Sequence, residues 1–119
     1  MRVLLVDDSA LSRMMIRSLL SDKFPDCEIV EVGTGDEALA LPASPPFDLI
    51  TIDINMPGMD SFEAAKLLHE KYPASKMAVI TANIQNSIRK KIQSLGIMFI
   101  AVIEKPVTEE RMEKIIEAL

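Results

Sequence analysis

Short apolar runs alternate with amphipathic stretches from one end of the chain to the other. Residues 3–7, 28–32, 49–53, 77–81 and 100–104 are rich in Val and Ile and predict strands. They are apolar almost without interruption, the pattern of strands covered on both faces, as in a parallel sheet. Between them the apolar period lengthens to that of a helix. Leu11, Met14, Met15 and Leu19 form one stripe, and Phe62, Ala65 and Leu68 a second. Ile84, Ile88, Ile92 and Leu95 form a third, and Met112, Ile115, Ile116 and Leu119 a fourth. A short helix over 36–41 stops at Pro42, which cannot continue it. Ser9 and Thr108 stand where helix N-caps are needed, and Glu109 and Glu110 suit the positive end of the last helix. Gly96 is placed to end the third stripe's helix, the fourth helix of the chain, as its C′ residue.

The predicted strands end at Asp7, Val32, Asp53, Thr81 and Lys105, at intervals of 25, 21, 28 and 24 residues. Each interval suits one strand and its crossover helix. Five such units predict a doubly wound (βα)5 α/β fold with a five-stranded parallel sheet, in one domain spanning 1–119. A closed eight-fold barrel would need about twice the length.

Composition narrows the class. A chain of 119 residues, 49% apolar, can bury a core without disulfides. The single cysteine, Cys27, rules out an intramolecular disulfide framework and fits a reducing compartment, so a cytoplasmic location is expected. The longest apolar run, 97–103, falls far short of the ~20 residues that span a bilayer. The N-terminus reaches Asp7 too early for a signal peptide. With 18 acidic and 13 basic residues the net charge is −5, which argues against a direct nucleic-acid binder. The total names no partner; the placement of the acids matters more.

In open α/β sheets ligands bind beyond the carboxyl ends of the strands. Those ends carry Asp7, Asp8, Asp53, Thr81 and Lys105. If the first and third strands are neighbours, three carboxylates crowd together. At 4 Å each like-charge pair costs about 1 kcal/mol in water and about 4 kcal/mol at an effective dielectric of 20. Such a cluster wants a cation, and an all-oxygen donor set selects a hard ion, Mg²⁺ or a relative. The Lys105 ammonium and Thr81 hydroxyl would join it on the same rim. That ensemble suits a phosphoryl group, with one carboxylate as nucleophile. Each residue alone also has an ordinary role: a helix cap for Asp7-Asp8, a turn residue for Asp53, a β-former for Thr81, a solvated lysine for Lys105. Their arrival at successive strand ends is what favours the chemical reading.

The motifs resemble those of the receiver domain of two-component response regulators, in size the single-domain chemotaxis receivers. The resemblance rests on Val3-Leu4-Leu5-Val6-Asp7-Asp8-Ser9, Asp53-Ile54-Asn55-Met56-Pro57-Gly58-Met59-Asp60, Val79-Ile80-Thr81-Ala82 and Glu104-Lys105-Pro106, and covers essentially the whole chain. It implies a flavodoxin-like strand order 2-1-3-4-5. It implies that Asp53 accepts a phosphoryl group from a sensor histidine kinase, a histidine phosphotransfer protein or a small phosphodonor. Asp8, Asp53 and the Asn55 backbone carbonyl would hold Mg²⁺ directly, and Asp7 largely through water. Thr81 and the Ala82 amide would meet the phosphoryl oxygens, and Lys105 would pair with them. The Lys105-Pro106 bond would be cis, which X–Pro bonds alone tolerate cheaply.

The same resemblance implies a switch and not an enzyme with turnover. Its output would be a downstream protein bound at the face of the fourth helix, fifth strand and fifth helix, where Arg89-Lys90-Lys91 could receive an acidic segment. The alternatives are the receiver part of a longer regulator, an aspartate-nucleophile phosphohydrolase, and an adaptor that no longer phosphorylates. The hydrolase would want an acid where Asn55 stands and a cap segment. The intact site set argues against the adaptor.

Several positions depart from the family pattern. Ser61 replaces the usual glycine and is read as able to N-cap. Val102 stands where an aromatic side chain usually reports phosphorylation. In a regular strand Phe99 would share the face of Lys105 and Val102 the opposite one, so Phe99 is no obvious substitute. Gly96 lies nine residues before Lys105, a long spacing that points to a bulge or irregular loop. Asn55 and Asn83 flank the path of an attacking water and should tune phosphoryl lifetime. Cys27 reads as a buried strand residue, His69 as a solvated surface residue, and Gly33-Thr34-Gly35 as a turn. Most methionines read as core filler, with Met56 and Met59 left open.

Overall fold

Strand and helix alternate through ten elements: β1 (Arg2–Val6), α1 (Ala10–Lys23), β2 (Glu28–Val32), α2 (Gly35–Leu39), β3 (Leu49–Ile52), α3 (Ser61–Lys71), β4 (Lys76–Thr81), α4 (Asn86–Ser94), β5 (Ala101–Glu104) and α5 (Glu109–Glu117). The computed structural model describes residues 1–56 and 58–119; Pro57, of the third strand's following loop, lies outside the described residues. The strands form one sheet in the order β2-β1-β3-β4-β5. All four pairings are parallel. The strand order implied by the family resemblance is the order found.

Alternation along the pleat sends side chains to two cores. On one face Leu4, Val6, Ile50, Ile52 and Val79 meet Ala38 of α2, Ala64, Ala65 and Leu68 of α3, and Ile92 of α4. On the other, Val3, Leu5, Leu49, Ala78 and Ile80 meet Ile16 and Leu20 of α1, and Met112 and Ile115 of α5. Both faces of β1, β3 and β4 are therefore covered, which is why these strands carry no polar alternation.

The helices begin and end largely as their signals predict. Ser9 accepts the Ser12 amide at 3.2 Å and Thr108 the Arg111 amide at 3.1 Å. Gly96 has φ of +69°, a left-handed conformation that glycine adopts without a Cβ penalty. The α3 cap differs. Asp60 accepts the Phe62 amide at 2.8 Å, so Ser61 is not the cap but the first helical residue.

Three other expectations are displaced. On α1 the buried positions are Ile16 and Leu20, with Met15 and Leu19 beside them, whereas Leu11 and Met14 are 61% and 59% exposed. The buried line is set one residue further round the helix than the predicted stripe, leaving Met15 and Leu19 at its edge. On α4 Ile92 is buried with Ile88 and Leu95 partly buried beside it, as the stripe predicts, but Ile84 precedes the helix. α2 stops at Leu39, not 41, since the residue before Pro42 is biased away from helical backbone, and the Lys71 ammonium takes the carbonyls of Leu39 and Leu41 past its end.

β5 begins irregularly. Ile100 still donates to the Met77 carbonyl at 2.8 Å, yet Ile100 and Ala101 both pack on the α1/α5 side. Phe99 and Val102 both pack on the other side. Two successive residues on one face break the alternation, so Phe99 lies on the Val102 side, opposite to its place in a regular strand. This is the irregularity that the long Gly96–Lys105 spacing predicts.

Candidate functional site

The ends of β1, β3 and β4 and the start of the turn after β5 converge on one rim, because parallel strands all finish at the same edge. The backbone holds the rim in register. The Asp7 amide donates to Val32, the Asp53 amide to Val6, and the Lys105 amide to Thr81, at 3.1, 2.9 and 2.9 Å. Each strand thus carries its neighbour's functional residue one step past the end of the ladder.

Asp7 and Asp53 are 2% and 4% exposed, and Thr81 is fully buried. The Lys105 ammonium lies 2.8 Å from Asp53 Oδ2 and 2.9 Å from Asp7 Oδ2. Its bond to Asp53 is aligned. Asp7 Oδ2 has the ion-pair distance without the alignment of a hydrogen bond, and remains a buried acceptor with no donor aimed at it. The other carboxylate oxygens are held by local turns: Ser9 donates its amide to Asp7 Oδ1 at 2.8 Å, and Asn55 its amide to Asp53 Oδ1 at 2.9 Å. These are Asx turns, and neither aspartate caps a helix. Lys105 is likewise no solvated lysine, with its side chain only 15% exposed.

Burial pushes the Asp7 carboxyl above its ordinary value. The Ser9 amide and Lys105 pull it back in part, and the Asp53 charge adds to the rise. For Lys105 burial acts downward, but its hydrogen bond to Asp53, its close pairing with Asp7 and their charges outweigh it, leaving the ammonium above its ordinary value.

Asp8 is exposed and completes the acidic group. Asp7, Asp8 and Asp53 each offer a carboxylate oxygen, all within 4.8 Å of one another. A three-carboxylate, all-oxygen set with one oxygen lacking an aligned donor fits a hard divalent cation. Thr81 Oγ1 is buried with no hydrogen-bond partner, on the strand beside β5. A buried hydroxyl without a partner is costly and marks a position awaiting one. Asn55 and Ala82 lie exposed next to Asp53 and Thr81 in the chain. Asn83 is already engaged: its Oδ1 accepts the Gln85 amide at 3.2 Å at the entry to α4. The Lys105-Pro106 bond is cis, as the resemblance implies.

The remaining candidates fall to structural roles or to other faces. Thr34 caps α2, and a Cβ on Gly35 would stand 2.8 Å from the Ala64 Cβ, so the glycine permits the α2–α3 approach. Cys27 is partly buried in the turn before β2, not on the strand. His69 is half-buried with its Nδ1 lacking a partner, not freely solvated. Met56 and Met59 pack against the core from the loop beside Asp53. Arg89, Lys90 and Lys91 are exposed on α4. Beside them a cavity of about 280 Å³ is lined by Ile84, Arg89, Val102, Glu104, Arg111 and Lys114.

One rim residue escapes notice in the sequence. Arg13 donates from Nη1 to the Asp7 backbone carbonyl and pairs through Nε with Glu31 at 3.2 Å. A cation near a helix N-terminus is disfavoured by the helix dipole, and that was the available signal.

The family model described as "Response regulator receiver domain" matches residues 3–117. A protein-glutamate methylesterase/protein-glutamine glutaminase 2 of Methanospirillum hungatei is 35% identical over 88% of this chain and 30% of its own length. The signal transduction histidine-protein kinase BarA of Escherichia coli K12 is 31% identical over 98% of this chain and 12% of its own. The chain thus spans about a third or less of these curated relatives. Among solved structures, the chemotaxis response regulator CheY4 of Vibrio cholerae superposes with a TM-score of 0.81 at 28% identity, covering 98% of this chain and 96% of that one. No described helix is long and apolar enough to cross a membrane.

Proposed function

Since the chain belongs to the response regulator receiver domain family, we propose that it is a phosphorylation-activated switch of a two-component system. The observation that carries this reading is the Lys105 ammonium between the buried Asp53 and Asp7 carboxylates, beside the unpartnered Thr81 hydroxyl. Asp53 is the phosphoacceptor. One of its carboxylate oxygens attacks the phosphorus of a phosphohistidine on a kinase or phosphotransfer protein. The new O–P bond forms as the P–N bond breaks, and the imidazole leaves with a proton from solvent. Asp8, Asp53 and the Asn55 carbonyl hold Mg²⁺, with Asp7 acting largely through water. The ion supplies charge neutralisation for the phosphoryl oxygens.

This chain's own residues do the rest. Lys105 exchanges the Asp53 oxygen for a phosphoryl oxygen, keeping its charge at the rim. The Thr81 hydroxyl donates to another, which satisfies the buried group, and the Ala82 amide donates to a third. A phosphoryl group adds about −1.5 to −2 charges. Drawing Thr81 and Lys105 inward shifts β4 and β5, and with them the α4–β5–α5 face, between two populations. A downstream protein reads that face. Val102 is itself no aromatic rotor, while Phe99 packs on the same side of the sheet; the coupling is read through Thr81 and the strands. The unit acts without turnover on other substrates, in the cytoplasm, as a receiver spanning 1–119.

Intact-mass measurement after incubation with acetyl phosphate tests the reading. The wild type should gain one phosphoryl group only with Mg²⁺, and Asp53→Asn should gain none. No adduct dependent on both Asp53 and Mg²⁺ would sink it. A second reading, the receiver part of a longer regulator, is favoured by the 12–30% share of its curated relatives that the chain spans.

A further inference from the structure

We infer that Arg13 is a positioning residue for the cation site: it fixes the peptide unit from which Asp8 projects, and Glu31 holds it in that role. The inference rests on the reading of Asp7, Asp8 and Asp53 as Mg²⁺ ligands. Asp7 is tied at three points. Its amide donates to Val32, its Oδ1 accepts from the Ser9 amide, and its carbonyl accepts from Arg13 Nη1. Asp8 is exposed, and no hydrogen bond to its side chain is recorded among the described residues. Its carboxylate is therefore aimed by the backbone, and the Asp7–Asp8 peptide plane is set by the carbonyl that Arg13 grips.

Arg13 is itself anchored. Its Nε lies 3.2 Å from Glu31 Oε1, while Glu31 Oε2 is taken by Arg17 at 2.7 Å. Glu31 sits on β2 opposite Leu5, one step before the Val6–Val32 pair from which Asp7 emerges. The guanidinium thus spans α1, the end of β1 and the end of β2. A guanidinium presents its Nη and Nε donors in a fixed planar fork, which serves the carbonyl and the carboxylate in set directions. The pairing with Glu31 also answers a cost. An unpaired positive charge beside three carboxylates would compete with the metal they hold, and Glu31 offsets it.

Charge and position make opposite predictions. If Arg13 acted only through its charge, removing it would tighten Mg²⁺ binding, and added salt would screen the difference. If it positions Asp8, removing it weakens binding at any salt concentration. Groups that orient metal ligands typically contribute about 10- to 100-fold in affinity.

Titration calorimetry with Mg²⁺ on the full chain, at low and at 0.5 M salt, separates the two. Arg13→Met should bind Mg²⁺ about 10-fold more weakly than wild type at both. Arg13→Lys keeps the charge but lacks the planar fork that fixes both partners' directions, and should fall between them. Thermal melts in chelator identify any variant that does not fold. If Arg13→Met fails there, Arg13→Lys decides the matter, since a pure charge role leaves its affinity unchanged. Unchanged or tighter binding in the folded variants overturns the positioning role while leaving the proposed function intact. A wild type that binds no Mg²⁺ overturns both.

Discussion

Asp7 is the side chain on which folding and the proposed function disagree most. Burial holds its carboxyl above the ordinary value of 3.8, so the folded state binds a proton more readily than the unfolded one. Above 3.8 the unfolded chain releases that proton first, and wild-type stability from this group falls as the pH rises through the higher folded value. In chelator, Asp7→Asn should therefore melt above wild type at neutral pH. The gain should shrink as the pH drops toward 3.8, where both states are protonated; a midpoint unchanged or lowered at pH 7 contradicts the argument. Thr81 makes a second case. Its buried hydroxyl has no partner, so the isosteric Thr81→Val should raise urea stability by about 1 kcal/mol. On the proposed reading the same variant is still phosphorylated but couples poorly to its output face. Such residues were legible because a charge or hydroxyl at a strand end contradicts the apolar run before it. Ser61 and Arg13 were not, because their roles depend on Asp60 and Glu31, partners that periodicity does not reveal.

At the scale of elements, the periods settled what was helix and what was strand but not how each helix is turned. α1 shows why. Leu11 and Leu20 are equally apolar, yet Leu20 is fully buried and Leu11 is 61% exposed. Leu20→Ala should cost about 2–5 kcal/mol in denaturant titration. Leu11→Ala should stay within about 0.5 kcal/mol of wild type. The reverse ranking would restore the predicted stripe. The α2–α3 contact is similarly specific. A methyl group on Gly35 would stand 2.8 Å from Ala64 Cβ, so Gly35→Ala overpacks the pair by about 1–3 kcal/mol. Ala64→Gly in the same chain should recover most of that loss. The start of β5 was half legible: the long Gly96–Lys105 spacing announced an irregularity, but only packing shows that it turns Phe99 onto the Val102 side.

For the whole molecule, β3 lies at the centre of the sheet with β1 beside it, both covered on both faces, and α4 buries one residue. Opening free energies should follow that gradient. Hydrogen exchange read by mass spectrometry should find amides of β1 and β3 slowest, and those of α4 exchanging well before them. Equal protection across the elements would argue against a loosely seated α4. The net −5 explains little of this, because the acids that define the rim are gathered at one edge and the remainder are dispersed. That gathering has a consequence in time. The rim is assembled from residues 7, 53, 81 and 105, and the ammonium comes from the turn after the last strand. As the chain leaves the ribosome, its carboxylates precede the group that balances them. Until that turn is made and docked, a nascent copy offers Asp53 no Lys105 and no finished rim. On the proposed reading, an incomplete molecule would lack the ammonium that completes its phosphoacceptor rim.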